Sequence, residues 1–280
     1  MKSSTQNRTR AAYLGPKGTF CEQAAKKYFS SLKVSYLPVT SIAEVFRIVE
    51  KMKALYGVVP VENSLEGSVN ETLDLLLESD LMVYGEVELK VEHCLIVKPN
   101  TKLEDLKLVL SKSQAIAQCR RFLENKLPKV EIKEVNSTAK AVEMLKNMED
   151  AAAIGTENAA ENCGMMILVK GIEDDVNNFT RFFILAQEDS QSTGRDKTSI
   201  IFSAKNIPGS LYNILGAFAT REINLTKVES RPVRGKPWEY IFHLDFDGHR
   251  NDKKSREALK DIEKRCIFVK ILGSYPKAVS

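Results

Sequence analysis

Val59-Pro60-Val61-Glu62-Asn63-Ser64-Leu65-Glu66-Gly67-Ser68 is the stretch on which the fold turns. Tyr56 to Val61 is strand-like and runs straight into a polar cluster. Ser68-Val69-Asn70-Glu71 then has capping-box spacing ahead of a helical stripe of Val69, Leu73, Leu76 and Leu77. A strand, a polar turn and a capped helix in that order form the repeating unit of a layered α/β fold with a largely parallel sheet. The polar cluster falls where such a sheet presents its carboxyl ends, the usual place for a ligand. Asn63 and Ser64 offer neutral donors and acceptors there; loop hydrogen bonding and helix capping are the alternative use for them.

The same unit recurs on both sides. Ala11-Ala12-Tyr13-Leu14 reads as a short buried strand, Gly15-Pro16-Lys17-Gly18 as a turn, and Thr19-Phe20-Cys21-Glu22 as a capped helix start. Ser41-Ile42-Ala43-Glu44 opens another helix with stripe Val45, Ile48, Val49 and Met52. Further on, strands are predicted at Leu81–Leu89, Val91–Val97, Leu106–Leu110, Val130–Val135, Ala151–Ile154, Met166–Val169 and Phe182–Ala186. Helices are predicted near Gln114–Glu124, Thr138–Lys146 and Glu157–Asn162. Gln187 to Asp196 is a polar run that reads as a linker. Beyond it come strand Thr198–Ala204, a helix with stripe Leu211, Ile214, Leu215 and Phe218, strands Leu225–Val233 and Trp238–Phe246, a helix around Lys254–Arg265 and strand Ile267–Leu272. That βαββαβ order predicts a small ferredoxin-like domain.

Composition removes several function classes. The chain has 280 residues, 43% hydrophobic and 28% charged, which suits two compact domains and not a disordered chain. No apolar run approaches the roughly 20 residues that a membrane span requires. Met1 to Arg10 is polar and basic without an apolar centre, so it reads as a flexible tail and not as a secretion signal. Five cysteines are an odd, scattered set with no Cys-x-x-Cys pair, and the three histidines show no metal-ligand spacing. The chain is therefore expected to be cytoplasmic, with no metal and no cofactor. From Asp196 onward 16 Lys and Arg stand against 10 Asp and Glu, but the charges are interleaved, as in Lys253-Lys254-Ser255-Arg256-Glu257. This mixing suits a solvated helix face and argues against nucleic acid as a partner.

Three more segments can carry chemistry. Gly15-Pro16-Lys17-Gly18-Thr19-Phe20 ends a strand and opens a helix, which makes it either an anion site or a plain turn capped by Thr19. Ser111-Lys112-Ser113-Gln114-Ala115-Ile116-Ala117-Gln118-Cys119 sets Gln114 and Gln118 one helical turn apart on one flank, beside a buried stripe of Ala115, Cys119, Phe122 and Leu123. In Asn177-Asn178-Phe179-Thr180-Arg181-Phe182-Phe183, Arg181 enters an apolar strand and must reach solvent, an anion or a structural partner. No Cys–His or paired-carboxylate arrangement is present, which disfavours nucleophilic hydrolysis and metal chemistry.

Taken together and in this order, the segments resemble prephenate dehydratase from about Ala11 to the C-terminus. The matching motifs are Gly15-Pro16-Lys17-Gly18-Thr19-Phe20, Val59-Pro60-Val61-Glu62-Asn63-Ser64 with its continuation to Leu76, and Asn178-Phe179-Thr180-Arg181-Phe182-Phe183. The C-terminal part is similar to the ACT domain, an amino-acid sensor, through Gly209-Ser210-Leu211-Tyr212, Ile223-Asn224-Leu225-Thr226 and Glu229-Ser230-Arg231-Pro232. The chain departs from the family pattern at Lys112-Ser113, where His-Pro is common, at Cys21 in place of Ser, and at Ser210 and Tyr212 in place of Ala and Val. No helical chorismate mutase domain precedes Ala11, so the resemblance implies a monofunctional enzyme.

The resemblance implies a bilobal catalytic domain like the type 2 periplasmic binding proteins, followed by the ferredoxin-like ACT domain. The expected division is a tail at 1–10, a catalytic domain at 11–187, a linker at 188–196 and the ACT domain at 197–280. One lobe would take about 11–87 and 172–187, the other about 88–171. The implied reaction removes CO2 and the ring hydroxyl from prephenate to give phenylpyruvate. The implied catalytic group is Thr180, as a hydrogen-bond donor to the leaving oxygen, with Asn63, Ser111 and Gln118. Substrate binding would fall to Arg181, Thr19, Phe20, Glu62, Ser64, Gln114 and Phe182. L-Phenylalanine would bind between ACT domains at Gly209, Ser210, Leu211, Asn224, Glu229, Ser230, Arg231 and Pro232, within a homodimer or homotetramer. Arogenate dehydratase is the close alternative, and a non-enzymatic amino-acid sensor on the same fold is the alternative from another class.

Overall fold

The structure, a computed structural model, describes residues 9–233 and 240–278. Most of the expected tail, and the Trp238 start of an expected strand, lie outside the described residues. Arg10 already belongs to the first strand, Arg10–Leu14.

Three sheets carry the chain. The first runs in the order Ser35–Val39, Arg10–Leu14, Tyr56–Asn63, Phe179–Ala186, Met82–Lys90, with Gly67–Ser68 paired back onto Tyr56–Asn63. The second runs Met166–Lys170, Cys94–Val97, Ala151–Gly155, Leu108–Ser111, Glu131–Glu134. The third runs Leu225–Pro232, Tyr240–Asp247, Asp196–Ala204, Cys266–Pro276. By its internal contacts the chain divides into two units, one ending its segments at Val45, Val69 and Phe182 and the other comprising Phe46–Gly57, Asn70–Val87 and Phe183 onward.

In the first unit Arg10–Leu14 pairs in parallel with Ser35–Val39, and Leu108–Ser111 lies in parallel between Ala151–Gly155 and Glu131–Glu134. Cys94–Val97 runs antiparallel to both its neighbours, so the second sheet is mixed where a largely parallel one was expected. All four residues of that strand are buried. An apolar run of this kind has no alternation from which a pairing direction could be read. The helix predicted over Gln114–Glu124 is two helices, Ser113–Gln118 and Arg120–Lys126, broken at Cys119. Asp174 makes the break: its N–H donates to Gln118 O at 2.7 Å and its carboxylate caps Arg121 N at 3.0 Å. The break leaves Gln118 at the end of a helix instead of in the middle of one.

The second unit contains the expected βαββαβ order, with helices Ser210–Ala219 and Lys253–Glu263. Ile214 and Phe218 of the predicted stripe are buried against Ile200, Phe202, Leu244 and Phe246, while Leu211 and Leu215 pack on the edge of this core. Each such buried side chain contributes about 1.5–3 kcal/mol. Also within this unit, Arg231 of the Leu225–Pro232 strand pairs with Asp74 at 2.9 Å and donates to Asn70 O at 3.3 Å, both on helix Asn70–Glu78.

Candidate active site

The local fold at Asn63 fixes the direction of a hydrogen-bond chain. Asn63 Oδ1 accepts from the backbone N–H of Leu65 and of Glu66, both at 3.1 Å, so its Nδ2 must be the donor. That nitrogen lies 3.0 Å from Thr180 Oγ1, 2.7 Å from Asn178 Oδ1 and 3.2 Å from Phe179 O. Thr180 therefore accepts from Asn63, and its own hydroxyl hydrogen is left to donate elsewhere. Asn178 Oδ1 is an acceptor, so Asn178 Nδ2 donates to Gln118 Oε1 at 3.2 Å, and Gln118 Nε2 donates to Glu66 Oε1 at 3.1 Å.

The same Gln118 oxygen lies 2.9 Å from His93 Nε2, which must carry the hydrogen. His93 is buried, its backbone N–H donates to Glu173 at 2.8 Å, and its ring meets Phe20 edge-on at 5.9 Å. Burial holds its pKa below the ordinary 6.5, partly opposed by Gln118 and Glu173, so the imidazole is neutral near pH 7.

Several of these groups border a cavity of about 350 Å³, all of it within the first unit. Thr180, Asn63, Gln118, His93, Thr19, Phe20, Gln114, Thr138 and Lys112 form its wall. One side is the first turn of helix Phe20–Tyr28, where the N–H groups of Phe20 and Cys21 have no helix carbonyl to bond. That turn is seated by Thr156 Oγ1 donating to Gly18 O at 2.7 Å. Gly18 has φ +89°, and a Cβ there would come within 2.9 Å of Ala159, so the close approach requires glycine. A further positive charge is supplied by Lys112, whose ammonium donates to Gln114 Oε1 at 3.3 Å. Burial pushes the Cys21 thiol up to about 12, with Lys112 acting against the shift, so this thiol stays protonated and is not a nucleophile.

Of the expected catalytic and binding residues, Thr180, Asn63, Gln118, Gln114, Thr19 and Phe20 meet at the cavity. Ser111 is fully buried with its hydroxyl donated to Ile154 O at 2.8 Å, and Phe182 is in the core. Ser64 Oγ donates to Asn177 O at 3.0 Å and accepts from Phe179 N at 2.9 Å, which pins the segment leading to Thr180. Arg181, next to Thr180 on a strand and so on its other face, pairs with Glu62 at 3.6 Å. Neither residue of that pair lines the cavity.

Sequence reasoning passed over His93 and Lys112. An isolated histidine ahead of an apolar strand carries no spacing signal, and Lys112 stood out only as a departure from a motif. In the C-terminal module Gly209, at φ +78°, precedes helix Ser210–Ala219, which begins Ser210-Leu211. Asn224 donates to Asp247 at 3.2 Å beside a separate cavity, and Glu229, Ser230, Arg231 and Pro232 share the strand Leu225–Pro232.

Comparison with known proteins agrees in both parts. Residues 11–190 match the family described as prephenate dehydratase, and residues 198–264 match the ACT domain. A bifunctional chorismate mutase/prephenate dehydratase of Aquifex aeolicus is 45% identical over 276 residues, 99% of this chain and 76% of that one. Arogenate dehydratase/prephenate dehydratase 2 of Arabidopsis thaliana is 40% identical over 288 residues, 98% and 74% of the two chains. The crystal structure of prephenate dehydratase from Arthrobacter aurescens in complex with L-Phe superposes with a TM-score of 0.87 at 31% identity, covering 96% of this chain and 90% of that one.

Proposed function

The chain belongs to the prephenate dehydratase family and carries an ACT domain, and on that premise we propose that Thr180 drives the decarboxylative dehydration of prephenate to phenylpyruvate. The observation that carries the reading is the donor direction at Thr180, set from the Asn63 turn. In prephenate the bond from the ring to the carboxylate carbon breaks, and its electron pair enters the ring. The C–O bond opposite breaks, and the oxygen leaves with its pair as hydroxide, which takes a proton from solvent to become water. Negative charge grows on that oxygen only as the bond stretches, so a hydroxyl already aimed at it favours the transition state over the ground state. A threonine hydroxyl is too weak an acid to give up its proton at neutral pH, so it acts as a hydrogen-bond donor.

Asn63 and Gln118 hold this donor and its neighbours in place, and Ser111 anchors the strand end beneath Gln118. The side-chain carboxylate of prephenate keeps its charge throughout and is received by the helix start at Thr19 and Phe20. Arg181 reaches a substrate carboxylate only by exchanging Glu62 for it; paired, it steadies the strand that presents Thr180. Gln114, Ser64 and Phe182 complete the pocket and its support. We assign 11–187 to the catalytic domain, in lobes of about 11–87 with 172–187 and about 88–171. A linker at 188–196 and the ACT domain at 197–280 follow.

The ACT domain makes L-phenylalanine the effector, bound between copies at Gly209, Ser210, Leu211, Asn224 and Glu229 to Pro232, in a homodimer or homotetramer. The site of action is the cytoplasm; no helix among the described residues is long and apolar enough to cross a membrane. Incubating the purified chain with prephenate should yield phenylpyruvate, and L-phenylalanine should suppress the yield. A chain that binds amino acids but turns over neither prephenate nor arogenate would be a sensor and not an enzyme.

A further inference from the structure

Lys112 is the one ionised side chain on the cavity wall among the described residues, and no carboxylate lines it. Cys21 and His93 are both held neutral by burial. Glu66, the acid that belongs to the hydrogen-bond chain, is bonded to the amide of Gln118. The wall thus offers a cation and a helix start, and nothing built to receive an ammonium group.

We propose that Lys112 determines specificity by holding the side-chain carboxylate of the substrate, so that the cavity selects prephenate over arogenate. This rests on the dehydratase reading. The two substrates share both carboxylates and the ring hydroxyl; they differ at the carbon next to the side-chain carboxylate, a ketone in one and an ammonium in the other. An ammonium from the protein placed on that carboxylate lies beside the difference and repels the second positive charge. The ring carboxylate is the wrong partner for it, because a cation there would stabilise the charge that has to be lost as CO2. Gln114, bonded to the Lys112 ammonium, steadies it on the cavity side.

The test compares kcat/KM on prephenate and on arogenate for the intact chain, Lys112→Met and Lys112→Arg. The intact chain should prefer prephenate. Lys112→Met should lose about tenfold on prephenate, mainly through KM, and far less on arogenate, so that the preference narrows. Lys112→Arg should keep it. Isothermal titration of prephenate into Thr180→Ala with and without Lys112→Met should show the same loss of affinity without turnover. Equal losses on both substrates, or a wild-type preference for arogenate, would overturn the assignment. Turnover of neither substrate by the intact chain would instead remove the dehydratase reading, and this inference with it.

Discussion

Arg231 grips Asp74 at 2.9 Å, joining the strand that bears the proposed effector segment Glu229–Pro232 to the helix that follows Ser68 in the chain. Both side chains are largely sheltered, at 15% and 22% exposure, so solvent screens the pair only in part. A ligand that draws on Arg231 in one state and not in another would bias this contact, which is what effector coupling requires. Asp74→Asn should raise the L-phenylalanine concentration needed for half-inhibition by about fivefold or more while kcat without effector stays within about twofold. Superimposable inhibition curves would remove the contact from the regulatory path.

Thr180→Ala should lower kcat by roughly 10²–10³, the usual loss for one donor to a developing oxyanion, whereas Thr180→Ser should keep much of the rate. Single-turnover kinetics on prephenate would measure this, and an alanine variant with near-normal turnover would exclude the role.

Asn63→Asp offers a sharper test because it is isosteric. The aspartate can still cap Leu65 and Glu66, but it has no hydrogen to give Thr180. The threonine would then donate to the aspartate, and its hydrogen would be lost to the substrate. A fall in kcat comparable to that of Thr180→Ala is expected, together with a lower melting temperature, because the carboxylate would also face Asn178 Oδ1 and Phe179 O. Retained turnover would mean that the orientation of the Thr180 hydroxyl does not matter.

His243 is buried in the C-terminal module, and burial, first among its influences, draws its pKa down to about 4 from an ordinary 6.5. The unfolded chain therefore binds a proton before the folded one does. Stability from this group is complete above 6.5 and is lost as pH falls from there toward about 4, at about 1.4 kcal/mol per pH unit. His243→Gln should flatten the acid limb of a denaturant midpoint-versus-pH plot by one proton. Parallel limbs for the two proteins would show that His243 does not titrate in this way.

The α/β alternation and the βαββαβ module were legible in sequence because period, capping and turn chemistry are local, and Asn63 and Gln118 stood out by position, whereas Thr180 was a candidate only through the family resemblance. Gln118 was legible as a residue but not in its setting: the helix break at Cys119 depends on Asp174, more than fifty residues away in the chain. Arg181 was legible as a charge entering an apolar strand, and Glu62, on a different strand, supplies its partner. His93 acquires significance only when Phe20 and Gln118 are brought against it, and no spacing along the chain encodes that meeting.

Amides and a hydroxyl, none of which titrates in the physiological range, set the direction of the chain from Asn63 through Asn178 to Gln118 and Thr180. Titratable groups, Glu66 and His93, join only at the Gln118 end, while the aim of the Thr180 hydroxyl is set at the Asn63 end. On the proposed reading the direction of this donor is written into a turn of the backbone and not into a protonation state, which leaves the throttling of flux to the effector.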